Sequence, residues 1–477
     1  MSSWRRLALF VALGTLLVGS TAWVGPASTP SHRPPRSVVN RGPVAPLGES
    51  GCWLVDAEGR VVTLHGVNEV EKPAPYYPAA GGFGEDDAQF LADNGFTTVR
   101  LGVVVAGLMP SPGVVDQAYI ENLAQTVDVL VRHKIFVLLD FHQDGYGPKY
   151  NGNGFPDWMG IDDGLPNPPA VFPLYYVQNP AMQRAFESFW QNRPAADGRG
   201  LQDHFVDGLV AVVRRFRRQP YVMGYELMNE PWPGADWQPC LVPPDGCPAA
   251  ERDLLGPFHR KATAAVRALT RTQPVYVEPF VLFNFGQAGT SLPGARSHDV
   301  LSFHSYALDA AGEQAVVDNA LAAAVRDRQP LVATEFGAST DVPTLQRLTG
   351  QLDGGFVSWM FWSYDDLVGD PSHALEGLVR PYPLAVTGTP TSTAFDPVSR
   401  AYDLVYSTRG PDGRRYRGGL DTVVSVPELP YPDGYTVTVS GARVTSSPCA
   451  PVLTLRTRSS ARASEVRVHI TPGGTCR

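Results

Sequence analysis

The run Tyr221-Val222-Met223-Gly224-Tyr225-Glu226-Leu227-Met228-Asn229-Glu230-Pro231-Trp232 leaves the chain few structural options. It is apolar over most of its length, as a strand buried on both faces must be. Pro231 ends it, because proline cannot continue a ladder. Glu230 therefore stands where a buried strand gives way to a loop. Leu331-Val332-Ala333-Thr334-Glu335-Phe336-Gly337 repeats the arrangement, an apolar run that closes on a glutamate. In a barrel of parallel strands such positions form the face that carries chemistry. Two carboxyl groups at the ends of two strands are the equipment for cleaving a glycosidic bond.

The flanking sequence has the matching rhythm. Val61–Val67, Thr97–Val105, Ile135–Phe141, the opening run, Val275–Pro279, Val300–His304, Leu331–Glu335 and Phe356–Trp362 read as eight apolar strands. Helical periodicity marks Glu85–Asn94, Gln117–His133, Leu201–Arg217, Glu251–Thr270, Glu313–Arg326 and Val342–Leu352 between them. The expected fold is α/β, a (β/α)8 TIM barrel over residues 49–384. The segment from Gln143 to Gly200, rich in Gly, Asn, Pro and aromatics, reads as one long functional loop. Past residue 385 the period changes to two, with Pro, Gly and Asp between short runs. Residues 385–477 are expected to form a small antiparallel β-sandwich.

The ends and the charge narrow the setting. Arg5 and Arg6 before the apolar run Leu7 to Val18 make residues 1–27 a secretory signal. Residues 28–48, rich in Pro, Ser and Arg, read as a disordered linker. Five cysteines suit export: Cys240 pairs with Cys247 across a Pro-Pro-Asp-Gly turn, Cys449 with Cys476, and Cys52 is left over. A net charge of -8 without clustered Lys or Arg excludes a nucleic-acid partner. Neither the cysteines nor the histidines have metal-ligand spacing, so no metal or cofactor is expected.

The chemistry follows from the two glutamates. Glu230 is placed to act as acid/base, with Asn229 beside it to bond the sugar hydroxyl next to the reacting carbon. Glu335 is placed as the nucleophile, and Arg100 and Tyr306 are candidates to hold it ionised. Glu226, Glu278 and Asp140 are rival carboxyls; the strand period of two puts Glu226 deeper on the same face as Glu230. His142 and His304 end the third and sixth strands, and Trp362 ends the eighth, where an indole can floor a sugar subsite. Asn68 and Lys72 follow the first strand and can reach sugar hydroxyls.

Arg100, His142, Asn229-Glu230-Pro231, His304-x-Tyr306, Thr334-Glu335-Phe336-Gly337 and Trp362 occur in the order seen in family 5 glycoside hydrolases, which the chain resembles. That resemblance implies a retaining (β/α)8 enzyme of clan A with Glu230 as acid/base and Glu335 as nucleophile. It places Arg100, His142, Asn229, His304, Tyr306 and Trp362 around the glycone. Phe141-His142-Gln143-Asp144-Gly145-Tyr146, Asn153-Gly154-Phe155-Pro156-Asp157-Trp158 and Asn229-Glu230-Pro231-Trp232-Pro233-Gly234 further resemble the endoglycoceramidases, as does the entry into the sandwich at Thr387-Gly388-Thr389-Pro390-Thr391. The implied substrate is a glycosphingolipid at a membrane or micelle surface, cut between intact glycan and ceramide by a secreted monomer. Asp144 and Lys72 would then bind the first sugar, with Gln287 a further candidate. A β-glucanase or β-glucosidase of the same family is the alternative, and a non-catalytic glycan-binding surface protein a second. Phe155, Trp158, Met159, Leu165, Val171, Phe172, Leu174, Tyr175 and Tyr176, with Trp232 and Trp237, are expected to offer an apolar channel to the lipid.

Overall fold

Eight parallel strands close into a barrel: His65–Glu69, Thr98–Val104, Phe136–His142, Val222–Glu226, Val275–Val277, Asp299–Ser305, Leu331–Gly337 and Ser358–Trp362. The computed structural model describes residues 42–170, 172–241, 247–286, 299–307, 309–369, 371–416, 419–457, 464–474 and 476. The signal segment, most of the linker, Val171 and Gln287 lie outside the described residues. The strands are apolar on both faces because helices cover their outside, as in Gln117–Arg132 and Leu201–Phe216, and side chains fill their inside.

Two features of the sequence reading need correction. The expected first strand, Val61–Val67, is two elements. Val61–Val62 pairs antiparallel with Ala385 and Val386, and only His65–Glu69 enters the barrel. Thr63 and Leu64, between the two, are buried, so no polar break appears in the sequence to mark the switch. The segment read as one loop also holds a helix, Pro180–Trp190. Asn179 caps it by accepting from Met182 N–H, and Pro180 occupies its first turn.

The sandwich draws on both ends of the chain. One sheet runs Gly48–Ser50, Trp53–Val55, Val61–Val62, Tyr382–Val386, Thr422–Ser425, Val452–Thr457, Ala442–Val444. The other runs Thr389–Phe395, Tyr402–Ser407, Glu465–Pro472, Tyr435–Ser440. Tyr402, Leu404, Tyr406, Leu453, Val466 and Val468 pack between them. The boundaries drawn at 49 and 385 therefore divide a shared sheet, and residues 42–48 are part of the fold: Leu47 is buried and Val44 N–H donates to Asp56. Cysteine pairing agrees with the expectation, with Cys240–Cys247 and Cys449–Cys476 bridged and Cys52 free.

The larger sheet closes the barrel floor. Phe136, Met223, Val300 and Val332, at or near the starts of their strands, form one cluster with Tyr382, Leu384, Ala385 and Val423. The opposite mouth, at the strand ends, is left for chemistry. Tyr382 is the joint: its ring stacks on His65 with centroids 3.7 Å apart, and its hydroxyl donates to Gly95 C=O at 2.8 Å. Tyr382→Ala should lower stability by about 3–5 kcal/mol, the usual loss for a large buried aromatic. Urea unfolding would read this, with turnover per folded molecule unchanged; lost turnover at unaltered stability would contradict a purely structural floor.

Candidate active site

A single buried guanidinium organises the open mouth. Arg100, on the second strand, is fully buried. Its Nε donates to Glu226 Oε2 at 2.5 Å, Nη1 to Asn68 Oδ1 at 2.9 Å and to Glu335 Oε1 at 2.5 Å, and Nη2 to Asn229 Oδ1 at 2.7 Å. Asp140 lies 3.1 Å from Nη2. Side chains of five strands, its own included, thus meet at one planar cation, which only arginine's fixed fork of donors allows. Glu226, a rival carboxyl, is occupied here and also accepts from the Thr334 hydroxyl at 3.1 Å.

Glu335 sits between donors. Besides Arg100 it accepts from the Tyr306 hydroxyl at 2.9 Å. Burial pushes its carboxyl upward, while the charge of Arg100 favours the ionised form. Tyr306 is itself held protonated, its phenol pushed well up by burial and by Glu335, so it has a hydrogen to donate to that carboxyl.

Glu230 lies four residues beyond the end of its strand. Asn229 N–H still donates to Phe141 C=O at 3.0 Å, and the chain then turns at Glu230 with φ +41°. A non-glycine residue in that left-handed region is strained. Both sides of the residue are held: Glu230 N–H donates to Glu278 Oε2 at 3.0 Å, and Gln143 Nε2 donates to Glu230 C=O at 2.8 Å. Its Oε1 meets Asn284 Nδ2 at 2.6 Å and His304 Nδ1 at 2.9 Å. Burial, then the charge of Asp144, pushes the Glu230 carboxyl up to about 8. Burial likewise holds His304 neutral, with its pKa down at about 4. Glu278, the other serious rival, is driven well above the carboxylate range by burial and by Glu226 and Glu230. It stands behind Glu230 as a backbone partner.

A second network flanks this pair. Asp144 Oδ2 accepts from Lys72 Nζ at 2.6 Å and from Asn153 Nδ2 at 2.6 Å, and lies 3.3 Å from His142 Nε2. His142 Nδ1 lies 2.7 Å from Asp140. Burial opposes charge on His142, but Asp144 and Asp140 outweigh it and raise the imidazole to about 9. Lys72 Nζ rides 4.5 Å over the Trp362 ring, which stacks on His142 at 5.4 Å. Glu230, Glu335, Lys72, Arg100, His142, Asp144, Asn229, His304, Tyr306 and Trp362 therefore lie in one connected constellation, whereas the further candidate Gln287 lies outside the described residues. Asn284, in the short helical turn Val281–Phe285 after the fifth strand, was missed; its signal was a single amide inside an apolar run.

The apolar loop residues mostly pack inward. Phe155, Met159, Tyr175, Tyr176, Trp232 and Trp237 are buried, and Phe155 stacks on Tyr146 at 4.5 Å. Among the described members of this group only Leu165 and Phe172 are exposed, at 38% and 59%. Most of these aromatics thus pack into the loop's own core, with Trp158 and Leu174 half-buried at its edge. Among the described residues one group has the geometry to hold a metal ion, Glu230, His304 and Glu335. Arg100 already supplies positive charge at Glu335.

Arg100→Lys is the sharpest test of this arrangement. An ammonium cannot reach both Glu226 and Asn229, and the buried carboxylates lose their partner. The expected result is destabilisation by about 3–5 kcal/mol and turnover reduced by about 100-fold or more, read by thermal unfolding and kcat. A variant of wild-type stability and activity would show that the guanidinium fork is dispensable.

Comparison with known proteins agrees with this fold. Residues 55–367 match Cellulase (glycosyl hydrolase family 5), and residues 380–470 match the glycoside hydrolase family 5 C-terminal domain. The chain is 35% identical over 446 residues to Endoglycoceramidase I of Rhodococcus hoagii, covering 87% of this chain and 86% of that one. It is 27% identical over 440 residues to an endoglycoceramidase of Cyanea nozakii, covering 81% and 85%. The solved structure of endo-glycoceramidase II from Rhodococcus sp. in complex with ganglioside GM3 superposes with a TM-score of 0.72 at 27% identity, covering 89% of this chain and all of that one. With a barrel, a sandwich and a paired-carboxyl site all accounted for, the chain belongs to glycoside hydrolase family 5.

Proposed function

We propose that this glycoside hydrolase is a secreted, retaining endoglycoceramidase that detaches the intact glycan from the ceramide of glycosphingolipids, with Glu335 as nucleophile and Glu230 as acid/base. The observation that carries the reading is the closeness of the two carboxyls: an oxygen of each lies within 4.8 Å of the other. Direct attack with retention needs carboxyls about 5–5.5 Å apart, whereas inversion needs about 6.5–9.5 Å to admit a water. In the first step Glu335 bonds to the anomeric carbon while the Glu230 proton passes to the departing ceramide oxygen. In the second, water attacks the glycosyl ester and Glu230 takes its proton. Glycosylation removes the Glu335 charge, so Glu230 ionises more readily just when a base is required.

The substrate class is supported by relatives that are endoglycoceramidases over most of their length and by the solved GM3 complex of one homologue. Lys72, Asp144, His142 and Trp362 offer charged donors, acceptors and a ring face to the glycone. Secretion is supported by the charged-then-apolar start of the chain and by its two disulfides. A monomer suffices, since one chain supplies every residue of the constellation.

Mass spectrometry of products from a glycosphingolipid mixture tests the substrate: ceramide plus intact oligosaccharide is expected. Better use of a cello-oligosaccharide would favour a β-glucanase. Glu335→Gln and Glu230→Gln should each reduce turnover of the lipid substrate by about 10³-fold or more, with azide rescuing an excised nucleophile. The pH profile should be bell-shaped. Its alkaline limb reports Glu230 losing its proton, so kcat/KM should fall as pH rises through about 8. A flat profile to pH 10 would contradict the assignment of the acid.

A further inference from the structure

The two oxygens of Glu230 are treated differently. Oε1 meets two nitrogens, Asn284 Nδ2 at 2.6 Å and His304 Nδ1 at 2.9 Å. Oε2 meets no donor among the described residues. Asn284 is fully buried, and its backbone carbonyl accepts from Tyr306 N–H at 2.9 Å, which anchors the turn that carries the amide. An amide N–H cannot accept a proton, and an oxygen receiving such a bond is a poor place for the acid's hydrogen. We propose that Asn284 determines which oxygen of Glu230 carries the reacting proton, donating to Oε1 and so leaving the hydrogen on Oε2, free for the leaving group. The inference rests on Glu230 being the acid/base.

The same bond acts again in the second step. When Glu230 gives up its proton, the carboxylate keeps Asn284 as a charge-assisted donor, and such bonds favour the ionised form. Asn284 thus opposes burial and Asp144, which disfavour the charge, and acts alongside His142, Arg100 and Lys72, which favour it. Glu278 faces Glu230 from the fifth strand, His304 from the sixth and Glu335 from the seventh. The phenols of Tyr175, Tyr176 and Tyr306 complete the titratable surroundings, all held protonated. Asn284 is the neutral group among these, and its contribution does not vary with pH.

The experiment compares two variants on two substrates. Asn284→Ala removes the donor, and Asn284→Leu removes it while filling the space. The substrates are lactosylceramide in detergent micelles, whose alkoxide must be protonated to leave, and 2,4-dinitrophenyl β-lactoside, whose leaving group needs no acid. Losing a donor that favours the carboxylate should move the alkaline limb for lactosylceramide upward by about one pH unit. With the proton no longer confined to Oε2, kcat/KM for lactosylceramide should fall by about 10-fold or more, while that for the aryl glycoside stays within about threefold. A limb that moves downward would mean that Asn284 instead accepts the proton of Glu230, and would overturn the proposal. Equal losses on both substrates with an unmoved limb would reduce Asn284 to a structural role and also overturn it. Glu230→Gln is the control for the underlying reading. If it leaves lactosylceramide turnover intact, the acid/base assignment itself has failed; if it alone abolishes that turnover, only the role of Asn284 is in question.

Discussion

The Arg100 guanidinium is the constraint on which the rest of the site depends. A bare cation in a barrel interior is several kcal/mol out of favour, so it demands partners on every side. It finds them on or just beyond four other strands: Asn68, Asp140, Glu226, Asn229 and Glu335. The demand runs both ways, since those carboxylates would be equally unfavourable without it. One planar fork therefore fixes both the register of the inward-facing side chains and the orientation of Glu335. This is why the mouth of the barrel holds one geometry with so many acids crowded into it.

The crowding also separates the two reacting carboxyls. Glu335 touches the cation and a phenol, and both favour its charge. Glu230 touches neither, and burial with Asp144 nearby keeps it protonated to about pH 8. Glu278, behind it, is driven the same way by burial and by Glu226 and Glu230. The proton is thus favoured on Glu230, and Arg100 draws Glu335 toward its charged form. A pair of glutamates with equal intrinsic acidity is thus given unequal preference for charge by position alone, the division that the proposed roles require.

Much of this is legible in the sequence, and the reasons differ by element. Strands such as Phe136–His142 announce themselves because a strand covered on both faces must be apolar throughout. Glu230, Glu335, His142 and Trp362 are legible because each closes such a run. Val61–Val62 is not legible as a separate strand, because its partner at Ala385 and Val386 lies more than 300 residues away in the chain and Thr63 and Leu64 are buried between the two sheets. The helix Pro180–Trp190 was hidden by the Gly- and Pro-rich segments around it, although Asn179-Pro180 was an available start signal. The aromatics of that segment looked like a binding surface because composition reveals how many apolar groups a loop has, not which way they face. Asn284 carries no pattern at all: a lone amide in an apolar turn is informative only once Glu230 is seen 2.6 Å away.

Glu230 also shows where the fold accepts local strain. Its φ of +41° puts a residue with a Cβ where glycine is at ease. The strand could have ended in a relaxed turn, but then the carboxyl would follow the strand's own alternation and point where Glu226 already points. Turning the backbone sharply after Asn229 lets two consecutive residues do different work: the Asn229 amide stays with Arg100, and the Glu230 carboxyl moves across to His304 and Asn284. The conformation persists because it is held from both sides, with Glu278 on the N–H and Gln143 on the C=O. Those two residues follow the fifth and third strands, which flank the fourth, so the strained turn depends on its two neighbouring strands being in place.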